Sequence, residues 1–199
     1  MILVIDSATA ACSVALIEDG KAIDERHETI GRGHAERLIP MIEELLDGRR
    51  PSAILVDCGP GSFTGVRVGL AAAHGLAIGW QVPLSGYSSM ALVATQGEAA
   101  EVGVALLGGH GELFVQSFGG DPLAARDALR SLSPEAAGAA LSAPLVLGSG
   151  AAALVAARGH GASADTLPRA ADARLLPEAL RSLPPRPIYG RPPDARPMQ

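Results

Sequence analysis

The stretch from Cys58 to Gly75, CGPGSFTGVRVGLAAAHG, constrains the fold more than any other part of the chain. An apolar run, Ser52–Cys58, leads into it and reads as a buried strand. Gly59, Pro60, Gly61 and Ser62 form a turn, and a helix follows to about Gly79. Gly59 and Gly61 supply backbone angles that other residues avoid, and Ser62 is a good N-cap. Gly65, Gly69, Ala72 or Ala73, and Leu76 fall on one helical face, and such a ladder of small residues lets another backbone approach closely. A strand, a glycine turn and a helix also resemble an anion-binding site, because free N–H groups and the helix dipole point outward there. This turn has neither the lysine of a P-loop nor the spacing of GxGxxG. Close packing is the stronger reading.

The rest of the first hundred residues supplies a sheet for that helix. Ile2–Ile5 is a short strand ending in Asp6 and the polar turn Ser7-Ala8-Thr9. Cys12–Ile17 and Lys21–Glu28 form a hairpin around Glu18-Asp19-Gly20. Gly31-Arg32-Gly33 breaks the chain before a helix over His34–Leu46, whose stripe of Leu38, Ile39, Met41, Ile42, Leu45 and Leu46 is wider than one core contact demands. Pro40 belongs in the first turns of that helix or kinks it, and Gly48 closes it. Val82–Ser85 is a strand and Ser88–Thr95 a helix. The order β-β-β-α-β-α-β-α predicts a mixed sheet with helices on its faces.

A boundary near Glu98–Glu101 divides the chain into 1–98 and 99–199. Beyond it, Val102–Leu107 and Glu112–Phe118 form a hairpin around Gly108-Gly109-His110-Gly111. A strand at Pro144–Leu147 and helices at Gly150–Ala157 and Leu175–Ser182 follow. The second half thus repeats the first in outline, abbreviated, and ends in a proline-rich tail from Leu183 to Gln199.

Several classes of chemistry find no support. Residues 1–100 hold 7 Lys+Arg against 12 Asp+Glu, and residues 101–199 hold 9 of each, so no basic face for gripping nucleic acid unaided is expected. Aromatic residues make up only 3%, which favours close-packed helices and sheet over a large aromatic pocket. No apolar run reaches the roughly 20 residues of a membrane span, and MILVIDSAT reads as a strand rather than a leader, so a cytoplasmic protein is expected. Cys12 and Cys58 read as buried, reduced thiols. His27, His34, His74, His110 and His160 lack metal-site spacing, so no metal site is expected. A Ser62/His34/Asp6 constellation is not favoured by spacing, and no catalytic residue is assigned. Asp6 reads as a cap for its own turn.

The segments ILVIDSATAACSVAL, HAERLIPMIEELL, GPGSFTGVRVGLAAAHGLAIG and PIYGRPPDAR together resemble the bacterial TsaB family, also called YeaZ. The likeness covers most of residues 1–95 plus the tail. Where relatives carry Asp-Ala-Arg before the Gly-Glu of the second hairpin, this chain has Leu107-Gly108-Gly109 ahead of His110-Gly111-Glu112, so roles of those side chains do not transfer. The resemblance implies an α/β, two-lobed actin-like/ribonuclease-H-like (ASKHA) fold with a reduced second lobe. It implies a noncatalytic scaffold subunit for threonylcarbamoyladenosine formation on tRNA, pairing with a TsaD-type transferase through the first two helices. A TsaE-type ATPase would dock on that pair, and isolated copies would self-associate through the same surface. The expected interface is His34, Leu38, Met41, Ile42 and Leu45 on the first helix, with Gly65, Gly69, Ala72, Ala73 and Leu76 on the second. No cofactor is expected on the isolated chain, and a nucleotide only at the shared surface. The alternative is a small-molecule or acyl kinase of the same fold, working through Asp6 and the Gly59–Gly61 turn. A peptidase has no convincing nucleophile–base pair here.

Overall fold

Alternation along the strands explains how the layers assemble. In β1 (Ile2–Asp6), Leu3 and Ile5 point to one face of the sheet and Ile2 and Val4 to the other. β2 (Ala11–Glu18) does the same, with Cys12, Val14 and Leu16 on the first face and Ala15 and Ile17 on the second. Both faces are therefore covered. A computed structural model, which describes residues 1–190, shows the result as two stacked sheets with helices outside them and between them.

The first sheet has the order β3-β2-β1-β4-β5, completed by β3 (Lys21–Thr29), β4 (Ala53–Asp57) and β5 (Leu84–Tyr87). β1, β2 and β3 run antiparallel as a meander, while β4 and β5 lie parallel to β1. Parallel neighbours need crossovers. α1 (His34–Leu46) and α2 (Phe63–Trp80) supply them, packing on the face that carries Leu3, Ile5, Val14 and Leu16. α1 runs through Pro40, and the cap at its end is Asp47 in the left-handed conformation, followed by Gly48, also at positive φ.

α3 (Ser89–Ala94) is buried throughout and sits between the sheets with Tyr87, Leu55, Val102, Leu106 and Phe118. The second sheet has the order β11-β10-β6-β7-β8. Its strands are β6 (Glu101–Leu107), β7 (Leu113–Gly119), β8 (Ala124–Ala125), β10 (Leu145–Leu147) and β11 (Ala162–Ala164), and β9 (Arg130–Leu132) also pairs with β7. α4 (Pro134–Ala140) and α5 (Ala151–Arg158) cover its outer face around Ala105, Val115 and Val146. A hairpin with parallel strands beside it occurs in both lobes, the second with shorter elements: this is the actin-like/ribonuclease-H-like architecture.

The structure departs from the expected elements in the second half. α4 was not expected, although Ser133 caps it and Pro134 opens it, a start signal readable in the sequence. The single helix expected over Leu175–Ser182 is instead a 3₁₀ turn at Ala170–Leu175 and one turn, α6 (Glu178–Arg181), separated by Pro177, whose ring has no N–H to continue a helix. From there the chain returns to the first lobe. Ala170 N–H donates to Ser13 Oγ at 2.9 Å, Arg169 pairs with Glu25, Leu183 pairs with Gly86, and Ile188 N–H donates to the Cys58 carbonyl at 2.8 Å. The proline-rich tail therefore straps the first lobe as far as Gly190, and the part expected over 191–199 lies outside the described residues.

Candidate functional site

The glycine turn is consumed internally. Gly59 takes φ +90°, and its N–H donates to Asp57 Oδ1 at 2.8 Å. Ser62 N–H donates to the Ala8 carbonyl at 2.7 Å, and Ser62 Oγ accepts from Gly65 N–H at 3.2 Å, as expected of an N-cap. Pro60 has no N–H. Two of the turn's three N–H donors, those of Gly59 and Ser62, and the Gly65 N–H in the first turn of the helix are thus occupied by the protein itself, which removes part of what a phosphate would bind.

The small-residue ladder also has its occupant. A Cβ on Gly61 would lie 2.1 Å from the Ala8 carbonyl oxygen, one on Gly65 2.1 Å from that of Ser7, and one on Gly69 2.4 Å from Ser7 Oγ. Ser7 Oγ donates to the Gly65 carbonyl at 2.9 Å. The backbone that the ladder admits is the β1–β2 turn of the same chain.

The residues expected to meet a partner lie mostly on the inner faces of the two helices. His34, Leu38, Met41, Ile42, Leu45, Gly65, Gly69 and Ala73 are all buried inside the first lobe, and Ala72 and Leu76 are half-buried. The periodicity identified the apolar stripes, but these are the faces that cover the sheet. His34 Nε2 donates to the Ala11 carbonyl at 3.1 Å, pinning α1 to the start of β2. What remains outside is a different and mixed set: Ala35, Glu36, Ile39, Pro40, Glu43 and Glu44 on α1, and Ala71, His74, Gly75, Ile78 and Gly79 along α2 beyond its exposed head at Phe63, Thr64 and Arg67. Ile39 is 49% exposed and Ile78 78%. Nothing lies within 4 Å of a Cβ built on Gly75 or Gly79.

Between the lobes lies a cavity of about 850 Å³. Its walls are the β1–β2 turn at Ala8–Ala10, the head of α2, the end of β6, Phe114 and the strap at Pro187–Gly190. Phe63 and Tyr189 stand exposed at its rim, their ring centroids 6.4 Å apart. The Arg67 guanidinium lies 3.5 Å over the Phe63 ring and donates to Tyr189 Oη at 3.2 Å. Asp6 does not line this cavity. It is fully buried beneath Ser7 and Ala8, as is nearly all of Asp57 at the end of β4. Burial raises the Asp6 pKa well above the carboxylate range, with the charge of Asp57 adding to it, and burial raises Asp57 to about 6. The Tyr87 hydroxyl reaches Asp6 Oδ2 at 3.0 Å and the Ile5 carbonyl at 3.2 Å, and Ser89 Oγ donates to Asp57 at 2.8 Å. Sequence reasoning missed Asp57 and Tyr87. The signal was there: β4 ends Leu-Val-Asp much as β1 ends Val-Ile-Asp.

Burial pushes the Cys12 and Cys58 thiols up, to about 11 and about 12, so neither is a nucleophile at neutral pH. No group of three or more His, Cys, Asp or Glu side chains suited to a metal occurs among the described residues. No described helix is long and apolar enough to cross a membrane.

A family model described as TsaD, tRNA N6-adenosine threonylcarbamoyltransferase, matches residues 26–137, more than half of the chain. The tRNA threonylcarbamoyladenosine biosynthesis protein TsaB of Escherichia coli is 43% identical over 98 residues, 47% of this chain and 42% of that protein. TsaB of Haemophilus influenzae is 40% identical over 114 residues, 53% of this chain and 48% of that protein. The alignments thus span about half the length of these curated relatives. Among solved structures, a Pseudomonas aeruginosa protein described as similar to peptidase YeaZ superposes with a TM-score of 0.78 at 29% identity. That match covers 96% of this chain and 99% of the other. YeaZ from the same organism gives 0.78 at 28% identity, covering 94% and 98%. The likeness runs through both lobes, and the chain belongs to the family that the TsaD model describes, as a protein similar to TsaB and YeaZ.

Proposed function

We propose that this chain is a noncatalytic subunit in threonylcarbamoyladenosine formation on tRNA, and that it pairs with a TsaD-type transferase through the outward face of α1 and α2. The observation that carries this reading is the bare helix layer. Ile39 on α1 and Ile78 on α2 are exposed, and Gly75 and Gly79 on α2 stand open, although the inner faces of both helices are packed. Exposed isoleucines and room for a close backbone, with Glu36, Glu43, Glu44 and His74 on the same two helices for polar contacts, suit another helix pair. The fold-family relationship to TsaD supports a partner built on similar lines. A TsaE-type ATPase docking on that pair, self-association of isolated copies through the same face, and a nucleotide only at the shared surface belong to the same reading.

The kinase alternative fares worse on two points: Asp6 faces no cavity, and the N–H groups of Gly59 and Ser62 are already engaged. Micromolar binding of Mg–ATP to the isolated chain, lost in Asp6→Ala, would restore it.

The test is co-expression with the host's TsaD-type protein and mass measurement of the product. The native chain should form a stable complex. Ile78→Arg should elute apart from the transferase while melting within about 0.5 kcal/mol of the native chain, as exposed substitutions usually do. A complex that survives Ile78→Arg and Gly75→Arg alike would refute this face.

A further inference from the structure

Two carboxyl groups lie side by side in the first lobe where water does not reach. The parallel register pairs Ile5 with Val56, so the next residues, Asp6 and Asp57, end adjacent strands together. Both are buried, and neither joins an ion pair among the described residues. Two negative charges at such a site would be costly, and their hydrogen bonds are unequal. Asp57 accepts from Gly59 N–H at 2.8 Å and from Ser89 Oγ, whose hydroxyl lies 2.8 and 2.9 Å from its two oxygens. Asp6 Oδ1 makes no hydrogen bond of good geometry, the Ala8 N–H being the one backbone donor turned towards the carboxyl group. Asp6 Oδ2 meets only Tyr87 Oη, a hydroxyl with a single hydrogen that also faces the Ile5 carbonyl.

We propose that Asp6 is a carboxylic acid in the folded protein, its Oδ2 proton donated to Tyr87 Oη, whose own hydrogen goes to the Ile5 carbonyl, leaving the pair's one negative charge on Asp57. Every contact then has a hydrogen to fill it. The unpartnered Oδ1 becomes a carbonyl oxygen, which tolerates a missing bond far better than a carboxylate oxygen does. The charge stays where an N–H and a hydroxyl solvate it. The groups facing Asp6 agree: Asp57 from β4, Tyr87 from β5 and the Cys12 thiol from β2 offer it no cation. Asp6 adjoins Ser7 and Ala8, the turn on which Gly61, Gly65 and Gly69 rest. Its proton is therefore a structural part of the seat of α2, and removing it loosens that seat.

The sign follows from linkage. The folded chain holds a proton at Asp6 that the unfolded chain, with an ordinary carboxyl near 3.9, releases. This contribution is complete below about pH 4 and is lost as pH rises towards the raised folded-state value. The decisive measurement is the side-chain carboxyl carbon shift of aspartates in the 13C-labelled full-length chain, assigned through the backbone. Asp6 should keep the shift of a protonated acid at pH 7. A carboxylate shift for Asp6 at pH 6 overturns the proposal. Urea unfolding from pH 6 to 8 provides the second arm. Asp6→Asn, which mimics the neutral acid, should remove a pH dependence of up to tenfold in the unfolding constant per pH unit relative to the native chain. Parallel slopes for the two proteins overturn it too. The carbon shift needs no variant, so an unfolded Asp6→Asn leaves the first arm decisive, and neither arm depends on the partner proposed above.

Discussion

Gly61, Gly65 and Gly69 meet Ser7 and Ala8 across gaps that no Cβ could enter, whereas Gly75 and Gly79, further along α2, face open space. α1 has the same asymmetry, with Leu38 fully buried against the sheet and its neighbour Ile39 half out in solvent. The two sides of this helix layer share small and aliphatic residues and have different tenants. The inner side is occupied by the chain's own β1–β2 turn and strands. The outer side sets Ile39, Ile78 and the open glycines among Glu36, Glu43, Glu44 and His74, and nothing of the described chain covers it. Residue type alone therefore does not tell an intramolecular contact from an intermolecular one; the position of each residue around the helix does.

The sharpest way to break the comparison is to hollow out the inner side. Leu38→Ala should cost about 2–5 kcal/mol in urea or thermal unfolding, as buried Leu truncations do. Ile39→Ala, one residue away, should cost about 0.5 kcal/mol or less and weaken pairing with the transferase. If the two variants lost equal stability, α1 would be oriented differently from what the burial pattern shows.

Overfilling the inner side comes next. Gly65→Ala sets a methyl group where the Ser7 carbonyl oxygen stands, and the rigid neighbour is backbone on both sides. A loss of about 1–3 kcal/mol is expected. Ser62→Ala should follow at about 1 kcal/mol, because it strips the cap from the Gly65 N–H while leaving the packing alone. Unfolding curves at fixed pH separate the two.

The element order of the first lobe was readable because its signals are local. Asp19-Gly20 sets the hairpin, Gly31-Arg32-Gly33 and Ser62 open the helices, and alternating apolar residues mark the strands. The facing of the helices was not. α1 carries six apolar residues within nine positions, and five of them turn inward with only Ile39 left out. α2 is apolar or small on nearly every side, so periodicity cannot say which side lies on the sheet. In the second half the difficulty is length. β8, β9 and β11 have two or three residues each, too few for alternation to register. The buried Asp6–Asp57 pair escaped for another reason: adjacency across parallel strands is a property of register, which no single segment contains.

The smallest expected effect separates the two ladders most cleanly. Gly75→Ala makes the same chemical change as Gly65→Ala, in the same helix, ten residues on. Here the new methyl group meets nothing within 4 Å, so no packing penalty arises in the isolated chain. Alanine is the better helix former by about 0.8–1.0 kcal/mol, so this variant should unfold later than the native chain. If a partner helix rests on Gly75 as the β1–β2 turn rests on Gly65, that same methyl group should weaken the complex, and titration calorimetry against the transferase would register the loss. Stability and affinity would then move in opposite directions from a single substitution. A stabilised chain that paired with unchanged affinity would mean that the open ladder is merely solvated, and that any partner makes its contact elsewhere.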